Sequence, residues 1–279
     1  MKPHKIITTA TKSISLTGHT CELSCMHCGG KFLKGMIPIN EVDTKALKRA
    51  GIKTLLISGG MNKETYDVPV YEHLNKFRYF KDCGFKLNFH TGLLDIFNNK
   101  FDEFIDLADR ISFDLNFSKD VIEKIYGMKN ITEKNIKQIF EGIYQKTQST
   151  NPAVDSILVP HICAGLDFGE ISNEYRILDY LSRFNKISRI VFIVFTRKRG
   201  TKMENSPLPA IDELKKLFDY AVKQFMPDVK IILGCMRTFR GEYAMKIEQS
   251  ALDAGVYGIV NPRYQFSSEK EISDVCCAF

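Results

Sequence analysis

Eight short runs of β-branched and apolar residues recur along the chain: Ser13–Leu16, Thr54–Ser58, Lys86–His90, Ile111–Asp114, Ile157–Pro160, Ile190–Phe195, Val229–Leu233 and Tyr257–Val260. Between them lie segments with helical spacing, as in Ile211, Leu214, Leu217, Phe218, Ala221, Val222 and Phe225, which place apolar side chains on one stripe. Gly51, Gly84 and Gly255 follow three of these segments, where a left-handed residue can close a helix before the next strand. A repeat of helix, glycine and strand predicts an α/β fold, a (β/α)8 barrel of the TIM type, with a partial (β/α)6 barrel as the smaller alternative. Residues 1–261 are expected to form the barrel and 262–279 a C-terminal tail over its mouth. In such a barrel the chemistry sits on loops that follow the C-terminal ends of the strands.

A chain of 279 residues, 44% hydrophobic, is long enough to bury one large core. It has no apolar run of membrane-spanning length and no apolar stretch of an export signal near its start, so a cytoplasmic protein is expected. The net charge of +6 comes from scattered basic residues, with no RNP-type motif, zinc-finger spacing or long basic tract. No nucleic-acid partner is therefore expected; the charge reads first as a solvated cationic surface, with an acidic carrier protein as the alternative. Eight cysteines in a chain without an export signal argue for metal binding or redox chemistry rather than disulfides.

Three of these cysteines, Cys21, Cys25 and Cys28, lie in a CxxxCxxC loop directly after the first strand run. Three thiolates can hold three irons of a four-iron cubane and leave the fourth open to a chelating ligand. A structural zinc site would want a fourth ligand, which His19 or His27 could supply; that makes a zinc-binding interaction module the non-enzymatic alternative. In its place after strand one, the loop resembles that of the radical S-adenosylmethionine (SAM) superfamily, in which a 4Fe-4S cluster splits SAM into methionine and a 5'-deoxyadenosyl radical.

That resemblance implies a SAM cradle on the following strands. Ser58-Gly59-Gly60 ends strand two, where the glycines would let backbone approach the ligand, although Met61 stands where the superfamily usually has an acid. Asn88 and His90 end strand three, and a hydrogen-bonded core histidine is the competing role for His90. On strand four, Ser112, Asp114 and Asn116 alternate onto one face, suited to ribose hydroxyls. Ile162 and Leu166, near strand five, are the adenine candidates, and 195–201 is similar to a proline-containing ligand loop that has lost its prolines.

The other cysteines bear on the substrate. Cys163 and Cys235 follow strands five and seven, and Cys276 and Cys277 could fold back to them, giving thiolates for an auxiliary 4Fe-4S cluster. Adjacent residues of an extended chain point apart, so Cys276 and Cys277 share a site only if the chain turns sharply there. Cys83, on a helix beside Gly84, reads as a small apolar residue. The segments GCMR around Cys235 and CCAF at 276–279, with the cysteine loop and ISFDLNFSKD, resemble the shorter subunit of the two-protein archaeal-type lipoyl synthase. The resemblance implies sulfur insertion at C6 or C8 of an octanoyl chain on a lipoyl-carrier protein, with a companion radical SAM subunit. Arg237 is the candidate catalytic residue, placed to meet a carboxylate or the cluster, and Arg240 reads as a surface residue. A biotin-synthase-like inserter acting on a small molecule and a single-cluster radical SAM enzyme are the nearest enzymatic alternatives.

Overall fold

The computed structural model describes residues 3–150, 155–263, 271–273 and 276–279. In chain order it contains β1 (His4–Ile7), β2 (Thr11–Ser15), β3 (Ile37–Pro38), α1 (Thr44–Arg49), β4 (Thr54–Ser58), α2 (Leu74–Asp82), β5 (Lys86–His90), α3 (Phe101–Leu107) and β6 (Arg110–Leu115). There follow α4 (Glu133–Thr150), β7 (Leu158–Ala164), α5 (Asn173–Leu181), β8 (Arg189–Val194), α6 (Ile211–Phe225), β9 (Lys230–Leu233), α7 (Gly241–Ala254), β10 (Gly258–Val260) and β11 (Glu271–Ser273). All eight expected strand runs form, in one parallel sheet of order β11-β1-β10-β9-β8-β7-β6-β5-β4-β2-β3. The architecture is the expected TIM-like α/β barrel. No helix among the described residues is long and apolar enough to cross a membrane.

A further strand, β1, precedes the expected first run and was not anticipated. A turn in which Thr11 N–H donates to Thr8 O at 3.1 Å separates the two. β1 pairs with β10, and β2 pairs with β4. A single stretch of chain thus touches both sides of the seven strands β4 to β10, and the curled sheet is joined at its seam by covalent chain rather than by a continuous ladder.

Helices cover the outer face because each carries one apolar stripe. In α6, Leu214, Leu217, Phe218, Ala221 and Phe225 are buried, and the Phe218 ring meets Phe192 of β8 at 5.5 Å. Phe77 of α2 and Phe104 of α3 both pack edge-on against Phe89 of β5 at 4.9 Å. Full burial of each such ring contributes about 1.5–3 kcal/mol. Gly51, Gly84 and Gly255 adopt φ of +75°, +77° and +79°, the left-handed closures anticipated before β4, β5 and β10.

The inner face is set by strand parity. Asp114 is level with His161 and His161 with Val191, so Ser112 and Asp114 share the interior with His161, Cys163 and Val191, while Phe113 and Ile162 face the helices. The end of the tail corrects the expectation of a cover over the mouth: Cys276, Cys277 and Ala278 are buried inside the barrel among Ile6, Val159, Val191, Ile232 and Val260. Arg110 Nε donates to Ala278 O at 3.0 Å, and the Phe279 ring lies 5.5 Å from both Lys86 Nζ and the Arg110 guanidinium. Lys86 and Arg110 open β5 and β6, so the tail descends toward the N-terminal ends of the strands. Small side chains fit the narrow interior, and the terminal ring gains two cation–π partners. The remainder of the tail expectation, 264–270 and 274–275, lies outside the described residues.

Candidate functional site

The cysteine loop leaves the end of β2 and is seated on the end of β4. Leu16 N–H donates to Ser58 O at 2.8 Å, Gly60 N–H to Thr17 Oγ1 at 2.6 Å, and Leu23 N–H to Met61 O at 3.2 Å. Gly60 is required here: a Cβ at this position would stand 2.0 Å from Thr20 O and 2.5 Å from Cys21 Cα. The glycine pair therefore divides its work. Gly59 borders the cavity described below, whereas Gly60 makes room for the loop rather than for a ligand.

Within the loop, Cys28 N–H and Gly29 N–H turn back to Cys25 O, at 3.3 and 2.8 Å, and Met26 N–H is held by Ile125 O at 2.8 Å. The donor atoms of Cys25, His27 and Cys28 all lie within 4.8 Å of one another. The closeness of Cys25 lowers the Cys28 pKa to about 4, and the same interaction pushes the Cys25 thiol well above the usual range. The ring of His27 meets Tyr126 edge-on at 5.7 Å, and His27 Nδ1 is buried without a hydrogen-bond partner among the described residues. His19 is turned away, its Nδ1 3.1 Å from Leu33 O.

The loop opens onto a cavity of about 270 Å³ at the C-terminal ends of the strands. Cys21, Cys25 and Cys28 line it together with Ser58, Gly59, His90, Ser112, Asp114, Asn116, Cys163 and Leu166, all anticipated, and with Phe195 and Thr196 after β8. The Asp114 carboxyl opens into this enclosed space, and burial raises its pKa. Burial lowers His90 to about 4, so its imidazole is neutral at pH 7. Asn116 Oδ1 accepts from Ser118 N–H at 2.9 Å.

A second group of thiols lies deeper in the barrel. The chain turns at the tail, Phe279 N–H donating to Cys276 O at 2.9 Å, and this brings Cys276 Sγ to 3.8 Å from Cys277 Sγ. Cys277 lies near enough to Cys235 to interact with it and stands 3.7 Å from His161 Nε2. Asn88 belongs to this group rather than to the cavity: its Nδ2 donates to Cys276 Sγ at 3.4 Å. The interactions of Cys277 with Cys235 and Cys276 push its thiol up, while the hydrogen bond from Cys277 brings Cys276 down to about 7. Cys163 does not join them. It packs with Met26, Tyr126 and Phe168 beside the cysteine loop, with its pKa raised by burial.

Two further expectations need correction. Arg237 is fully buried outside the cavity, where its guanidinium donates to Gly234 O and Glu248 Oε1, both at 2.6 Å. It ties the end of β9 to α7 and has no path to a ligand in the cavity. Ile162 is buried between sheet and helices, one residue out of phase with the inward-facing His161 and Cys163. The residue the sequence reading missed is His161, although the alternation that places Ser112 and Asp114 inward also places it there.

No family model and no curated relative matches the chain. Among solved structures it is similar to methylornithine synthase (PylB), with a TM-score of 0.60 at 14% identity over 96% of this chain and 75% of that one. It is similar to HydG, a maturase of the FeFe-hydrogenase, with a TM-score of 0.63 at 12% identity over 93% and 57%. Streptococcus suis SuiB, solved bound to S-adenosylmethionine, gives 0.54 at 14% identity over 98% and 59%. The chain thus spans less than two thirds of HydG and of SuiB. At these identities what the chain shares with all three is the fold: a curled, parallel α/β barrel that accounts for nearly the whole of it.

Proposed function

We propose that this chain is a radical SAM enzyme whose Cys21, Cys25 and Cys28 hold a 4Fe-4S cluster. The observation that carries this is the placement of three thiols of one short loop at the rim of a strand-end cavity lined by Ser58, His90, Ser112, Asp114 and Asn116. The donor set fits the group. A single tetrahedral ion about 2.3 Å from each sulfur gathers its donors to within about 3.8 Å of one another. Cys21 stands outside the compact Cys25, His27 and Cys28 group, so the three thiols are spread as a multi-iron cluster wants them. The fold shared with SuiB, which was solved with SAM, supports the same assignment.

When bound, the cluster and SAM supply reductive C–S cleavage and an adenosyl radical for hydrogen abstraction. The chain's own contribution is binding and orientation. Asp114 and Asn116 offer acceptors and a donor to ribose hydroxyls, Ser58 and the Gly59 backbone face the amino-acid end, and Leu166 and Phe195 supply apolar contact for the adenine. Tyr126 and Met128 exclude water beside the cluster loop.

The substrate we propose is an octanoyl chain carried on an acidic lipoyl-carrier protein, thiolated at C6 or C8 with a companion radical SAM subunit. This rests on the resemblance of the GCMR and CCAF segments, on the meeting of Cys235, Cys276 and Cys277 in the interior as candidate ligands of an auxiliary cluster, and on the +6 net charge. The compact Cys25, His27 and Cys28 group favours a second reading, a single zinc ion at the loop. Anaerobic reconstitution followed by iron, sulfide and zinc analysis separates the two. Reductant, SAM and an octanoylated lipoyl-domain peptide should then yield 5'-deoxyadenosine and a sulfur-bearing peptide by mass spectrometry. Zinc-loaded, colourless protein that forms no deoxyadenosine would sink the radical assignment, and deoxyadenosine without peptide thiolation would sink the substrate.

A further inference from the structure

Cys28 leads without a break onto the outer surface. Its carbonyl accepts from Lys31 N–H at 3.0 Å, and residues Lys31–Gly35 form one short 3-10 helical turn. Leu33 is buried beneath that turn, while Phe32, Lys34 and Gly35 face solvent. Phe32 is 37% exposed and also lines the cavity, so a single side chain spans the wall between the cysteine loop and the outside.

The loop after β8 lies against this turn. Lys31 Nζ donates to Arg199 O at 2.6 Å, and the Lys198 ammonium stands 5.3 Å from the centre of the Phe32 ring. The approach is close: a Cβ on Gly200 would stand 2.3 Å from Lys31 Nζ. Phe195 and Thr196 of the same loop line the cavity, so these contacts fasten two of its sides together. The joined surface is basic. Lys31, Lys34, Arg197, Lys198, Arg199 and Lys202 gather on it, and none of them makes a salt bridge among the described residues. Glu204, the acid of the same stretch, is engaged by Gly200 N–H. A solvated surface intersperses the two signs, as the helices of this chain do with Lys137–Glu133, Lys215–Asp219 and Lys246–Glu242. Here like charges stand together, and an acidic surface laid over them relieves their repulsion.

The radical chemistry proposed above takes up one electron for each SAM cleaved, which an outside donor must supply. We propose that the basic face around Phe32 is the docking site of a small acidic redox protein, a flavin or iron-sulfur electron donor. This rests on the radical SAM reading. One electron passes from the docked partner to the cluster on Cys21, Cys25 and Cys28 and then to the SAM sulfonium, whose C–S bond breaks to methionine and the adenosyl radical. The partner leaves oxidised by one electron. A substrate-bearing arm would need an opening, and the Lys31 and Lys198 contacts make this face a wall. An electron needs only a short path, which Phe32 and the hydrogen bond from Lys31 to Cys28 supply. Exposed cations with no acids of their own suit the small, weak and salt-sensitive interface of an electron-transfer encounter.

The test is Lys34→Glu with Lys202→Glu in the full chain, two exposed cations that do not line the cavity. Lys45→Glu with Lys223→Glu, exposed on α1 and α6, makes the same change of net charge elsewhere and is the control. The probe is an acidic flavodoxin. Titrated at low salt against metal-free protein, it should bind the first variant about tenfold more weakly than the wild type or the control, and the difference should shrink as salt rises. In reconstituted protein, subsaturating reduced flavodoxin should yield deoxyadenosine about tenfold more slowly with the first variant, while dithionite drives all three alike. Equal flavodoxin binding by the three proteins, beside normal activity with dithionite, would overturn this proposal alone. So would a first variant that weakens toward the octanoylated lipoyl domain and not toward flavodoxin, which would make the face a carrier site. A wild type that forms no deoxyadenosine even with dithionite would overturn the radical reading, and the donor site with it.

Discussion

Replacing Gly60 with alanine tests whether the cysteine loop depends on its seat. The new methyl would lie 2.0 Å from Thr20 O, 2.5 Å from Cys21 Cα and 2.8 Å from Thr20 C, all of them backbone atoms. Ordinary contact for a methyl begins near 3.4 Å, so the backbone at Thr20 and Cys21 must retreat by roughly 1.4 Å, a strain of about 1–3 kcal/mol. The retreat is not shared by the rest of the loop, because Met26 stays hydrogen-bonded to Ile125. Cys21 therefore moves relative to Cys25 and Cys28. Urea unfolding of the metal-free variant should show the loss of about 1–3 kcal/mol, and reconstituted protein should surrender iron to a chelator about tenfold more readily, since about 1.4 kcal/mol at one ligand is a factor of ten. Gly29→Ala is the control: its φ of +53° strains an alanine, but nothing lies within 4 Å of the added methyl, so no cysteine is pushed. A Gly60→Ala protein with wild-type stability and iron retention would refute the claim that the loop is seated on this glycine.

Arg237→Met should destabilise, because it removes the guanidinium bonded to the buried Glu248 carboxylate, which then keeps its bonds from Arg263 N–H, and the double change with Glu248→Leu should recover part of the loss; equal losses in the two variants by denaturant unfolding would argue against the pair. The metal-free protein should lose stability on acidification, since burial holds His90 and His161 down to about 4 while the unfolded chain takes up those protons near pH 6.5. The loss begins as pH falls through about 6.5, levels off near 4, and amounts to about 2 kcal/mol for each ring between pH 7 and 5. Asp114, whose pKa burial raises, works in the opposite sense and offsets part of it; equal urea midpoints at pH 7 and 5 would contradict the assignment. Asp114→Asn should weaken SAM binding about tenfold by equilibrium dialysis, the share of one charge-assisted hydrogen bond, and unchanged binding would remove Asp114 from the cradle.

The barrel was legible because its signals are local. Each strand run lies within a few residues, and the α6 stripe repeats within one helix. β1 was not legible, because the sequence at 4–7 carries no sign that it pairs with a partner as distant as β10 while the neighbouring β2 pairs with β4. In the site, parity was the missed constraint: once Ser112 and Asp114 are inward, register makes His161 inward and Ile162 outward. For Arg237 the signal lay on α7, where Glu248 falls on the same stripe as Ala244, Ile247 and Ala251, and a carboxylate on an apolar face calls for a buried cation. The descent of Cys276 to Phe279 into the barrel depended on the width of an interior that only the assembled sheet defines.

That descent separates the two thiol groups in time. The seat of Cys21 needs only β2, β4 and the loop they flank, all within about the first sixty residues, and the backbone bond from Met26 to Ile125 then fixes the Cys25 end. Cys277 meets His161 across 116 positions, and Cys276 meets Asn88 across 188. On a chain made from its N-terminus, the loop thiols can be seated early, whereas the inner thiols come together only after the strands that surround them exist and are then enclosed by the segment that brings them. The tail is thus the last piece of the interior to find its place, and the barrel that receives it must already be built.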